Sequence, residues 1–165
     1  MKRIVIATGL AIGSDGDTRR LLLVASRYAN HAQPLWNLPG GRQRAGELLR
    51  DAVERECYEE TGVPVRAGAL AYVSESYDGN GAHVINATFH VTPLEGGDAL
   101  RLPHERDAVD HVVAAEWVAI GELPSRLSVA VVREPLLAYL EGRLGERYAG
   151  FADAGITIVW PSDSN

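Results

Sequence analysis

The order of apolar and polar positions divides the chain into strands and helices. Ile4 to Ile12 is rich in β-branched residues and predicts a buried strand. Ser14-Asp-Gly-Asp17 is a turn signal, and Arg20 to Ser26 predicts a second strand, so the two read as a hairpin. Arg27 to Pro34 is a polar loop. Leu35 to Leu38 predicts a short extended piece, because the residue before Pro39 is biased away from helix. After Gly40 and Gly41 the period changes. Leu49, Ala52, Val53 and Cys57 recur at helical spacing and predict one core-facing stripe on a helix that begins near Gly46-Glu47. Gly62 supplies a left-handed stop, and Pro64 bars continuation.

Beyond the helix, Val65 to Tyr77 predicts a long strand weakened at Gly68. Asp78-Gly-Asn-Gly81 is a hairpin turn, and Ala82 to Thr92 is the return strand. Pro93 to Asp110 is polar and irregular. Val112 to Ile120 is strand-like, and Gly121 to Pro124 predicts a turn or 3₁₀ piece. Val129 to Leu144 reads as an amphipathic helix whose Pro135 puts the true start nearer Arg133. Ile156 to Trp160 is an apolar run suited to an edge strand or to covering the core, and Ser162 to Asn165 reads as frayed. Hairpins together with helices predict an α/β fold, a mixed sheet with helices packed on its faces.

Composition narrows the class. A chain of 165 residues suits one domain with a proper core. A net charge of −6 disfavours broad binding to nucleic acid or anionic membrane. No segment approaches the ~18–20 apolar residues of a membrane span. The lone Cys57 excludes an intrachain disulfide and a zinc site built on several thiolates. Met1-Lys-Arg-Ile-Val-Ile-Ala has a positive tip but a short apolar run. It reads as a first strand rather than a signal peptide, so the expected compartment is the cytoplasm.

Candidate chemistry gathers at the end of the first helix, where Glu56, Glu59 and Glu60 fall within five positions. On their own they read as a solvated acidic face. Like charges at i,i+4 repel by a few tenths of a kcal/mol. A divalent cation would reverse that sign, since hard cations take carboxylate oxygens as ligands.

The surroundings of these glutamates carry a resemblance. Gly41, Glu47, Arg55, Glu56, Glu59, Glu60, Gly62 and Val63 fall on the spacing G-x5-E-x7-R-E-U-x-E-E-x-G-U, where U is a bulky aliphatic residue. Residues 41–63 thus resemble the Nudix box of the MutT-like Nudix hydrolases. Cys57 departs from the pattern at the first U and is read as a small buried hydrophobe. Trp36 to Gly41 resembles the family's approach to the box. Glu116-Trp117 and Gly121 to Pro124 resemble its C-terminal strand and turn.

The resemblance implies the Nudix fold, an α/β/α sandwich around a mixed sheet with the box as loop–helix–loop. It implies a Nudix domain over 1–145, with 146–165 as a C-terminal extension packed on it. It implies an enzyme, a pyrophosphohydrolase that cleaves a nucleoside diphosphate linked to another moiety with Mg²⁺ or Mn²⁺. The alternative is a nucleotide-sensing Nudix module that does not catalyse. Catalytic roles would fall to Glu56, Glu59, Glu60 and Arg55, with Arg55 orienting a glutamate. Gly40, through its carbonyl, would join the three glutamates on the metal. Glu105, Asp110 and His111 are candidates for a second base or ligand. Arg27, Arg42, Arg44, Trp36 and Tyr77 are candidate substrate contacts. The expected partner is a small-molecule nucleotide, and the apolar tail is a candidate homodimer interface. Some subfamilies mark their substrate with a proline or tyrosine beyond the box. Those positions are Gly79 and Asn80 here, so the substrate stays open.

Overall fold

The structure is a computed structural model that describes residues 1–94, 100 and 111–160. In chain order the elements are β1 (Arg3–Leu10), β2 (Ile12–Asp15), β3 (Thr18–Ser26), β4 (Leu35–Asn37), β5 (Gly40–Arg42) and α1 (Leu49–Thr61). There follow β6 (Val65–Tyr77), β7 (His83–Pro93), β8 (Val112–Ala119), a 3₁₀ turn (Ile120–Glu122), α2 (Leu123–Arg126), α3 (Ala130–Leu140) and β9 (Tyr148–Phe151). One sheet runs β5-β1-β7-β6-β9, with β1/β7 and β6/β9 parallel and the other pairs antiparallel. The second is built on β3, which pairs antiparallel with β2, β4 and β8. The fold is α/β with a mixed sheet, as expected.

The first expected hairpin is corrected. The apolar run Ile4 to Ile12 is two strands in two sheets, and β2 alone is the first arm opposite β3. Both edges of β1 are already taken, by β7 over Arg3–Leu10 and by β5 over Ile6–Thr8. Alternation shows that a strand exists but not which neighbour it chooses.

Two apolar clusters hold the layers. Ala52, Val53 and Cys57 of α1 pack with Ala7, Leu22, Ala87 and Phe89. Leu21, Leu23, Tyr72, Val118, Leu127 and Leu136 form the other cluster. Leu22 faces one and its neighbours Leu21 and Leu23 the other, the period-two alternation of a strand lying between two cores. Gly62 ends α1 at φ 72°, donating its N–H to the Tyr58 carbonyl. Gly68 sits inside the register break of β6 against β7, where a strand without a side chain is weakest.

Three further boundaries differ from expectation. α1 starts at Leu49, after a turn closed by the Glu47 carboxylate on the Arg44 N–H. α3 starts at Ala130, not near Arg133, and carries Pro135 inside it. Fully buried Leu136 anchors that turn in the second cluster, and this packing outweighs the lost backbone bond. The last strand is Tyr148–Phe151, beside β6, not Ile156–Trp160. Backbone groups of that tail bond instead to loops. Thr157 C=O accepts from Asn30 Nδ2 at 2.6 Å, Val159 N–H donates to Asn30 Oδ1 at 3.1 Å, and Ile156 C=O accepts from Gly79 N–H at 3.2 Å. Among the described residues no helix is long and apolar enough to cross a membrane.

Candidate active site

The edge of β1 sets the position of the glycines that lead into the box. Thr8 lies opposite Gly40, and Ala7 opposite Gly41, in an antiparallel pair. This brings β5 against α1 near its C-terminal turns. Gly40 N–H donates to Glu60 Oε1 at 2.8 Å. A Cβ on Gly41 would stand 2.6–2.8 Å from the carboxylate atoms of Glu56, so only glycine lets the carboxylate approach. The sequence puts the box glutamates off the buried stripe of the helix. In the structure Glu56 and Glu60 are only 6% and 5% exposed, because β5 covers the helix flank that carries them.

Arg55 holds this arrangement from behind. Its Nε donates to Glu47 Oε1 at 2.7 Å and its Nη2 to Glu47 Oε2 at 3.0 Å, a two-point grip on one carboxylate. Nη1 donates to Glu56 Oε1 at 2.7 Å and to Glu59 Oε2 at 3.2 Å, and Nη2 also donates to the Arg42 carbonyl at 3.1 Å. Five acceptors thus match the five N–H groups of a guanidinium. Its hydrogen bond to Glu47 raises the Arg55 pKa, and the same bond lowers that of Glu47. Burial drives the Cys57 thiol strongly up, helped by the Glu60 and Glu56 charges, so this cysteine is packing and not a nucleophile. Tyr28 is raised by burial and by the nearby Glu60 carboxylate, which keeps its hydroxyl a proton donor.

Glu56 and Glu60 border a cavity of about 820 Å³. Of the residues expected at a site, Gly40, Arg42, Arg44 and His111 also line it. Trp36 lines a smaller neighbouring cavity, with the Arg126 guanidinium 4.6 Å from its ring centroid. Arg27 lines neither, and its backbone N–H donates to the His111 carbonyl. Tyr77 lies outside both and stacks on His83 with centroids 4.6 Å apart. Glu105 and Asp110 lie outside the described residues. Lys2 and Arg3 join the larger cavity although the sequence marks them only as a positive tip. Trp160 lines both cavities, and Arg42 lies 5.4 Å from its ring centroid. Its only sequence signal is the apolar tail.

The donor set fits a hard divalent cation. Two buried carboxylates border the cavity beside a backbone that a Cβ would block, and oxygen ligands of this kind suit Mg²⁺ or Mn²⁺. Yet among the described residues no three acidic or histidine side chains converge as one metal-ready group. Glu59 turns toward Arg55 and, at 3.6 Å, toward Arg44, and its side chain is 35% exposed.

Comparison with known proteins agrees with this geometry. The NUDIX domain family model matches residues 5–140. The mouse (Mus musculus) protein "Nucleoside diphosphate-linked moiety X motif 6" is 32% identical over 81 residues, which is 49% of this chain and 25% of that protein. The "ADP-ribose pyrophosphatase" of Methanocaldococcus jannaschii is 29% identical over 124 residues, 74% of this chain and 68% of that protein. The crystal structure of a MutT protein from Methanosarcina mazei superposes with a TM-score of 0.68 at 21% identity, covering 86% of this chain and 95% of that one, and shows the shared fold. The chain spans only 25% and 29% of the length of two of the curated relatives it matches. With the family model spanning β1 to α3 and the box glycines and glutamates assembled beside one cavity, the chain belongs to the NUDIX domain family.

Proposed function

We propose that the protein hydrolyses a pyrophosphate bond in a nucleoside diphosphate linked to another moiety, with Mg²⁺ or Mn²⁺ as cofactor. One observation carries this reading: two buried carboxylates border a cavity whose rim holds Lys2, Arg3, Arg42 and Arg44 in a protein of net charge −6. Basic side chains gathered at one opening suit a polyphosphate. Two relatives carry names for chemistry on nucleoside diphosphates, which supports the substrate class.

On this reading Glu56, Glu60 and the Gly40 carbonyl, joined by Glu59, would hold the metal. When bound, it withdraws charge from phosphate oxygens and lowers the pKa of a water. Arg55 keeps Glu56 aligned, while Arg42 and Arg44 position the phosphates. Water adds its oxygen to one phosphorus, the bridging P–O bond breaks, and Glu56 takes the proton. His111 stands at the same cavity as the second candidate base. We also read the C-terminal extension as packed on the same domain, which β9 beside β6 and Trp160 at the cavity support.

The test is chromatographic detection of the two phosphorylated fragments formed from nucleoside triphosphates, ADP-ribose, NADH and dinucleoside polyphosphates, with and without Mg²⁺ or Mn²⁺. We expect metal-dependent turnover with at least one substrate. Glu56→Gln and Glu60→Gln should each abolish it while circular dichroism stays unchanged. Full activity of Glu60→Gln would defeat the metal assignment. Nucleotide binding with no product across the panel would favour a sensing module.

A further inference from the structure

The segment that follows β9 is fastened by side chains and turns, not by a sheet. It lies beyond residue 140, where the match to the family ends. Asn30, in the loop after β3, meets this segment with both ends of one amide. Its Nδ2 donates to the Thr157 carbonyl at 2.6 Å, and its Oδ1 accepts from the Val159 N–H at 3.1 Å. A residue on a parallel strand bonds the C=O and N–H of residues two apart in the same way, so one side chain stands in for a ladder. His31 adds a second hold, with Nε2 2.8 Å from the same Thr157 oxygen. Gly79 adds a third, since a Cβ there would overlap the Thr157 hydroxyl.

Trp160 follows directly on this clasp. Its side chain is half-buried and lines both cavities. Tyr28, two residues before Asn30, also lines both. Loop and tail thus each bring an aromatic side chain to the junction of the two cavities, and Asn30 ties the two segments together. The Arg42 guanidinium, 5.4 Å from the Trp160 ring centroid, joins this surface to the larger cavity that Glu56 and Glu60 border. A molecule whose phosphates pair with Arg42 therefore has Trp160 within reach of the group attached to them. Ile6, Val84 and Ile158 make the wall of the smaller cavity apolar. A flat ring suits such surroundings, through stacking and apolar contact.

We propose that Trp160 is a specificity-determining residue that packs on the base of a nucleotide, and that Asn30 is the positioning residue that holds it at the cavity. This assignment rests on the nucleotide reading of the site given above. The metal and the basic side chains act on phosphates alone, so they do not distinguish a nucleotide from a sugar phosphate without a base. Trp160 does. Contact between a base and an aromatic ring tolerates any base, so the choice it makes is for a base over none.

The experiment is isothermal titration calorimetry in Mg²⁺, comparing AMP, GMP, CMP and UMP with ribose 5-phosphate. None of these has a pyrophosphate bond to cleave, so binding is read apart from turnover. Wild type should bind at least one nucleotide about tenfold or more tighter than ribose 5-phosphate. Trp160→Ala should lose most of that ratio, and Trp160→Phe should keep most of it. Asn30→Ala should lower the ratio as Trp160→Ala does, and the double variant should be no worse than Trp160→Ala alone. Tryptophan emission gives a second readout. Asn30→Ala should move it to longer wavelength when Trp160 is present and leave it unmoved in the Trp160→Phe background. Equal wild-type affinity for ribose 5-phosphate and all four nucleotides would overturn the proposal, and so would an undiminished ratio in a folded Trp160→Ala protein. Additive losses in the double variant, or an unmoved emission, would overturn the role of Asn30. Were Asn30→Ala to unfold, the two Trp160 variants decide. Base-dependent binding without hydrolysis of any substrate would sink the proposed function and leave this inference standing. Hydrolysis with no dependence of the ratio on Trp160 would do the opposite.

Discussion

Replacing Arg55 by alanine should destabilise the protein by about 3 kcal/mol, and the structure shows why. The side chain is 17% exposed and makes five hydrogen bonds, to three carboxylates and a carbonyl. Its main partners are similarly enclosed, with Glu47 14% and Glu56 8% exposed at the side chain. Alanine leaves two neighbouring carboxylates facing each other without a countercharge. Removing one member of a buried pair costs about 3–5 kcal/mol. The lower end applies because Glu56 borders an open cavity and can be rehydrated there. For a chain of this size, that corresponds to a fall in melting temperature of roughly 6–12 °C. Urea unfolding at pH 7 gives the loss directly, provided the m-value is unchanged. Arg55→Lys should recover less than half, since an ammonium supplies charge but no planar fork to grip Glu47 at two points. A double-mutant cycle with Glu47→Gln should show coupling of about 1–2 kcal/mol. An Arg55→Ala protein within about 0.5 kcal/mol of wild type would refute the reasoning and place the cluster with ordinary surface ion pairs.

Other substitutions probe the same region. Gly41→Ala sets a methyl group 2.6–2.8 Å from the Glu56 carboxylate, so Glu56 must move. Turnover should fall at least about tenfold while the unfolding midpoint shifts little; unimpaired turnover would contradict the close approach. The Arg55 hydrogen bond holds the folded Glu47 carboxyl below its ordinary 4.5. Its contribution is therefore complete above about pH 4.5 and is lost as pH falls through the folded value. Wild type should lose stability more steeply than Glu47→Gln below that pH, and parallel curves would count against the pairing. Cys57, fully buried with its thiol pushed up, should react with a thiol reagent at pH 8 about a hundredfold slower in the native protein than in urea. Equal rates would exclude this burial.

Much of the local structure was legible from local chemistry. The stripe of Leu49, Ala52, Val53 and Cys57 described the buried face of α1, and Gly62 marked its end. Asp78 to Gly81 marked the hairpin between β6 and β7. The spacing of the box residues identified the family that the comparison then established. Each of these signals needs only a few neighbouring residues, because helical periodicity and turn conformation are properties of short segments. The role of each box side chain remains for the substitutions above to decide.

Tertiary structure decided which segments meet. The run Ile4 to Ile12 divides between two sheets because β7 and β5 occupy both edges of β1. Glu56 and Glu60 are buried where β5 lies across them, whereas Glu59 pairs with Arg55 and Arg44 and keeps its side chain 35% exposed. Lys2, Arg3 and Trp160 stand at one cavity from opposite ends of the described chain. Pairing and burial depend on residues far apart in sequence. The sequence alone therefore supplied the elements and the family pattern, while packing settled the contacts and exposures around the cavity.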